Sequence, residues 1–140
     1  MCIRDRYNQA KGLHEKALFI RKTIFGEDHA AVATSYNNLA LVYERLGEYN
    51  QAKELQEKAL IISKKIFGED HANVATSYNN LALVYDSLGE YNQAKEIFEK
   101  ALLIRKTIFG EDHADVAASY NNLAVAVSYT HLTLPTKRIV

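Results

Sequence analysis

Residues 67–101, FGEDHANVATSYNNLALVYDSLGEYNQAKEIFEKA, carry the reading of the fold, because most of this stretch occurs once before and part of it occurs again. FGEDHA stands at Phe25, Phe67 and Phe109, and YNQAK at Tyr7, Tyr49 and Tyr91, so both markers return every 42 residues. A period between about 20 and 50 residues is the signature of a repeat array, in which each unit is one supersecondary element that buries its apolar face only against its neighbours. Residues 25–48 and 67–90 differ at three places: Ala31 against Asn73, Glu44 against Asp86, and Arg45 against Ser87.

Within a unit the apolar spacing is helical. Val32, Tyr36, Leu39, Tyr43 and Leu46 fall three or four residues apart, which puts them on one buried helical face. Gly47 predicts the end of that helix, with a left-handed residue closing its last turn, and a second helix begins at Tyr49 or Asn50. Ala52, Leu55, Ala59, Leu60, Ile62 and Ile66 line its apolar side, and Gly68 predicts its end, again as a left-handed cap. Asp70 or His71 then caps the next helix, and the acidic Glu69-Asp70 pair suits its positive dipole end. Carried along the chain, the pattern predicts helices at 7–25, 30–46, 49–67, 72–88, 91–109 and 114 to about 126, and no strand. Gly12, where the other units have Glu54 and Glu96, costs the first helix about 1 kcal/mol relative to alanine.

Both ends break the period. Residues 1–6, MCIRDR, and 127–140, VSYTHLTLPTKRIV, resemble translated sequencing adapter: a transposase end sequence read in frame encodes the first five, and its reverse complement encodes 127–136. The expectation is that both segments are artefacts outside the fold. Residues 7–126 then form the array: a lone second helix, two complete pairs and a further pair with a truncated ending. Apolar faces left uncapped at such ends predict self-association.

Composition narrows the function. The chain has 140 residues, 48% of them apolar, and seventeen basic side chains balance seventeen acidic ones, interspersed so that no basic face attracts nucleic acid. No apolar run is long enough to suggest a membrane span. Cys2, the sole cysteine, lies in the adapter-like segment, and its absence from 7–126 suits a reducing, cytoplasmic compartment.

The unit resembles the tetratricopeptide repeat, in the 42-residue form of kinesin light chains. The resemblance rests on Tyr36, Leu39, Ala40, Tyr43, Ala52, Ala59 and Leu60 in one pair, and on Tyr78, Leu81, Ala82, Tyr85, Ala94, Ala101 and Leu102 in the next. Small residues beside large ones let two helices approach while the large ones fill the space between them. The resemblance implies an all-α fold, a right-handed α-solenoid of antiparallel helix pairs with about six helices. Two departures stand out. Ala30, Ala72 and Ala114 replace the usual proline, and the aromatic position of the second helix holds His14, Gln56 and Phe98 in turn.

No catalytic constellation is present. His29, His71 and His113 recur beside Glu-Asp, but loops one helix diameter apart, about 10 Å, cannot share one small ion, so helix capping is the better role for them. No phosphate-binding glycine loop, metal cluster, cofactor site or activated nucleophile is found, and no enzymatic activity is expected. The feature in excess of packing is an asparagine pair in each first helix: Asn37-Asn38, Asn79-Asn80 and Asn121-Asn122. Asparagine is a poor helix former, and the helical wheel turns Thr34, Asn37, Leu41, Glu44 and Arg45 away from the core. The resemblance makes that face the lining of a concave groove. Its candidate residues are Thr34, Asn37, Asn38, Leu41, Glu44 and Arg45, then Thr76, Asn79, Asn80, Leu83, Asp86 and Ser87, then Asn121, Asn122 and Val125. An amide donates and accepts at once and can pair with a peptide backbone; alternatively, the asparagines bond to neighbouring helices and tie the repeats together.

The chain is therefore expected to be an interaction scaffold that binds an extended peptide of a protein partner, as a kinesin-light-chain-like adaptor. The alternative is a sensing or autoinhibitory repeat region of a larger nucleotide-binding signalling ATPase.

Overall fold

The computed structural model describes residues 2–139, with side chains over 2–128. Among these there are six helices and no strand: α1 (Ile3–Phe25), α2 (Ala30–Arg45), α3 (Tyr49–Phe67), α4 (Ala72–Ser87), α5 (Tyr91–Phe109) and α6 (Ala114–Ile139). The inner boundaries follow the glycine punctuation within a residue. The outer two differ from expectation. α1 begins at Ile3 rather than at residue 7, and α6 continues to Ile139 instead of stopping near 126. Nothing between Ile3 and Tyr7 breaks a helix, and where Gly47 and Gly89 stop the earlier first helices the chain has His131. Residues 3–6 are helical but exposed, Ile3 among them. The side chains of 129–140 lie outside the described residues.

Two kinds of glycine joint build the pairs. Gly47 (φ 79°) and Gly89 (φ 80°) close the first helices. Glu48 N–H donates to the Tyr43 carbonyl at 2.9 Å and Gly47 N–H to that of Glu44 at 3.0 Å, with the same bonds from Glu90 to Tyr85 and Gly89 to Asp86. This is the Schellman arrangement, which satisfies the last carbonyls and turns the chain at once. Each second helix therefore starts after a three-residue link and runs back antiparallel, α3 on α2 and α5 on α4.

The other joint explains the FGEDH motif. Gly26 has φ 84° and ψ 176°, so positive φ comes with an extended ψ rather than the expected left-handed helical one, a region held almost entirely by glycine. Around it, Phe25 stacks on His29 at 4.2 Å between ring centroids, and Lys22 pairs with Glu27 at 3.1 Å. Phe109 stacks on His113 at the same distance, and Lys106 pairs with Glu111 at 2.9 Å. The histidine is the cap: Nδ1 of His29, His71 and His113 accepts the N–H two residues on, each at 3.0 Å. Capping thus falls to His71 rather than Asp70. An accepting Nδ1 carries no proton, which assigns the ring proton to Nε2.

The chain divides into two compact units, Met1–Gly68 and Glu69–Val140. In the first, Val32, Ala33 and Tyr36 of α2 are buried against Ala59 and Ile62 of α3, flanked by Leu18 and Leu55. In the second, Phe98 of α5 is the centre, enclosed by Ala82 and Tyr85 of α4, Leu123 and Ala126 of α6, and Ala94 and Ile97 of its own helix. Three alanines make room for one ring. The sequence motif of small residues beside large ones is thereby realised as packing.

Candidate functional site

None of the fifteen residues expected on the groove face is buried. Leu41, Leu83 and Val125 are 44%, 42% and 50% exposed, a high figure for branched aliphatics inside regular helices. In the first unit, Asn38, Leu41, Val42 and Arg45 of α2 meet Tyr7 and His14 of α1 around a hollow of about 470 Å³. Thr34 and Thr76 turn their hydroxyls back to the carbonyls of Ala30 and Ala72, and Ser87 donates to that of Leu83. These three present methyl or methylene surface more than free donors.

The asparagines behave in two ways. Asn122 Nδ2 donates to Asn79 Oδ1 at 2.8 Å, joining the second amide of α6 to the first amide of α4. In the second unit this pair ties neighbouring first helices together, which is one of the two roles open from sequence. Asn121, beside it, is exposed.

Glu44 and Asp86 hold the same repeat position and share an electrostatic character. Burial pushes the Glu44 carboxyl up, with Arg45 partly opposing it, and burial likewise pushes Asp86 up. Asp86 Oδ1 is enclosed with no hydrogen-bond partner among the described residues. An acid whose native pKa exceeds its unfolded one stabilises the fold fully below its ordinary value, 3.8 for Asp86, and loses that contribution as pH rises through the raised value. Near neutrality the charge is a cost. Asp86→Asn should therefore raise the melting temperature at pH 7 by a few degrees and leave it unchanged at pH 3. Thermal unfolding at both values checks this, and an equal shift at the two would assign the effect to packing instead.

Two features escaped the sequence reading. Arg21 of α1 donates to the Ala31 carbonyl at 3.1 Å and to Ser35 Oγ at 3.0 Å on α2. Arg105 of α5 does the same to Asp115 and to Ser119 on α6, at 3.5 and 2.7 Å. Each arginine stitches a second helix to the first helix of the following repeat, and the signal was the return of Arg with a Ser fourteen residues on. Ser63 stands at the same position in α3. The other is Gln56, fully buried in α3, whose Nε2 and Oε1 meet no partner among the described residues.

Among the described residues no group of three His, Cys, Asp or Glu side chains could hold a metal ion, and no helix is long and apolar enough to cross a membrane. A sequence model described as tetratricopeptide repeat matches residues 1–60, 32–106 and 87–131. The fold is similar to the crystal structure of BtubC (BKLC) from P. vanneervenii, with a TM-score of 0.83 and 30% identity over 91% of this chain and 51% of that one. It is also similar to the nearly identical TPR-like repeats of a kinesin light chain-like protein from Podosopora anserina, with a TM-score of 0.81 and 25% identity over 91% of this chain and 60% of that one. A single-substitution variant of the latter gives the same values. The chain thus spans between half and three fifths of the length of these structures. No curated protein matches it by sequence.

Proposed function

This chain belongs to the tetratricopeptide repeat family, and from that premise we propose that it holds an extended peptide of a partner protein against its first helices, as a cytoplasmic, kinesin-light-chain-like adaptor. The repeat itself makes it a protein-interaction scaffold. The observation that carries the finer reading is the exposed aliphatic at one position of every first helix, Leu41, Leu83 and Val125, one turn beyond Asn37, Asn79 and Asn121. An amide followed by an apolar contact suits an extended strand, whose backbone groups and alternate side chains present the same two chemistries. Thr34, Thr76 and Ser87, with their hydroxyls turned inward, add apolar surface beside it. Glu44 and Asp86 favour ligand N–H groups or cations near the C-terminal ends of α2 and α4. No catalytic chemistry is proposed; the residues on this face hold and orient.

A peptide selected from a library on the intact chain provides the test. Leu83→Asp should weaken its binding about tenfold or more with the melting temperature retained. Asn121→Ala should lower affinity alone, whereas Asn79→Ala should lower affinity and stability together, since Asn122 then loses its acceptor. Unchanged affinity in all three would assign the asparagines to the stack and remove the groove reading.

A further inference from the structure

Residues 25–48 and 67–90 differ at three places, and two of the three are neighbours: Glu44 and Arg45 of α2 stand where Asp86 and Ser87 stand in α4. Both pairs close the last turn of a first helix, one turn beyond the exposed Leu41 and Leu83. A helix ends at the negative pole of its dipole, which favours a cation and disfavours a carboxylate. α2 meets that preference with Arg45, the basic residue of its last turn, whereas the last turn of α4 has no basic residue. The exchange of Arg45 for Ser87 thus keeps the acid and removes the cation beside it.

The donors close to Asp86 in the chain are already engaged. Ser87 donates its hydroxyl to the Leu83 carbonyl at 3.2 Å. Gly89 N–H donates to the Asp86 carbonyl at 3.0 Å, and Glu90 N–H to that of Tyr85 at 2.9 Å. Asp86 Oδ1 is left enclosed with no hydrogen-bond partner among the described residues, in a residue that is otherwise half-buried. Burial pushes its carboxyl up, as it does that of Glu44, but only at Glu44 does an arginine partly oppose the shift. One repeat position therefore carries a compensated acid in the first unit and an uncompensated one in the second.

We propose that α4 selects one basic side chain of the bound peptide, an arginine or lysine whose aliphatic stem lies along Leu83 and whose charge meets the Asp86 carboxyl from solvent, supplying the cation that α2 carries as Arg45. The proposal rests on the groove reading above and names the chemistry of its occupant. A long basic side chain suits the place because its methylenes cover apolar surface while its head stays polar. Leu83 and Asp86, three residues apart on one helix, lie about 5–6 Å from each other, within the span of such a side chain. At α2 an incoming cation would meet the charge of Arg45 as well as that of Glu44, so the first unit does not select for it.

The probe is a phage-displayed library of random ten-residue peptides, panned on the intact chain. Selected sequences should carry arginine or lysine at one recurring position. The tightest binder is then synthesised with that residue and with its neutral counterpart, citrulline for arginine or norleucine for lysine. Asp86→Asn should weaken the charged peptide about tenfold and the neutral one less than about twofold, the signature of a direct charge pair. Ser87→Arg, at an exposed position, restores the arrangement of the first unit and should weaken the charged peptide about as much, whereas Glu44→Gln should change it less than about threefold. Circular dichroism and melting temperature check that the variants stay folded. Asn121→Ala controls for the groove itself. If it weakens the peptide and Asp86→Asn does not, if Glu44→Gln costs as much as Asp86→Asn, or if the selected peptides lack a basic residue, this proposal is overturned and the groove reading stands. If no peptide is selected, or if neither Asn121→Ala nor Asp86→Asn changes affinity, both fall.

Discussion

Phe98→Ala should lower the stability of the second unit by about 3–5 kcal/mol, the range found when a buried aromatic ring is truncated without collapse of its surroundings. Phe98 is 1% exposed and touches three helices, so its loss empties the space that Ala82, Ala94 and Ala126 leave open. Those alanines cannot reach inward to refill it. Relaxation would require α4, α5 and α6 to close up, against the Arg105–Ser119 and Asn122–Asn79 bonds that hold their spacing. Urea unfolding followed by circular dichroism gives the magnitude, and amide exchange should localise it, with protection lost over residues 69–128 before 2–68. A loss below about 1 kcal/mol would mean that the ring does not organise this unit.

The opposite change is expected in the first unit. Gln56→Leu should stabilise it by about 1–3 kcal/mol, the desolvation cost of a buried amide left unsatisfied. Gln56 has the register of Phe98 and is fully buried, but neither of its polar atoms has a hydrogen bond among the described residues. Leucine matches its volume closely, avoiding the overpacking that the larger phenylalanine would bring. A higher melting temperature with unchanged helix content is the expected measurement. A lower one would mean that the amide is bonded in solution and that the position is polar by requirement.

What the sequence disclosed and what it withheld divide along a physical line. Helix boundaries next to Gly26, Gly47, Gly68, Gly89 and Gly110 were legible because positive φ is a local property of one residue type. The capping histidines were legible as one of two local candidates, since His71 and Asp70 lie within reach of the same N–H groups. The outer ends of α1 and α6 were misjudged because a break in the repeat is not a helix breaker; backbone continues until something stops it. Asn79 with Asn122 and Arg105 with Ser119 depend on which helices become neighbours and at what rotation. A wheel drawn for one helix places such residues on a face but cannot name their partners. Gln56 was legible only as a departure from the aromatic pattern, and its isolation follows from packing around it.

The repetition of the helix pair has a consequence for the route by which the chain reaches this structure. α5 would find on α2 the same tyrosine and small residues that it finds on α4, because residues 25–48 and 67–90 differ at three positions and none of these, Ala31/Asn73, Glu44/Asp86 and Arg45/Ser87, is fully buried. Surface chemistry alone scarcely distinguishes correct pairing from pairing one repeat out of step. The discrimination rests on the three-residue links at 46–48 and 88–90, which hold each second helix beside its own first helix at high effective concentration and at small loop-closure entropy. Nearest pairs therefore zip before distant ones can compete, and synthesis from the N-terminus reinforces that order. In this chain connectivity settles the pairing: two short turns choose among partners that the side chains leave nearly equivalent.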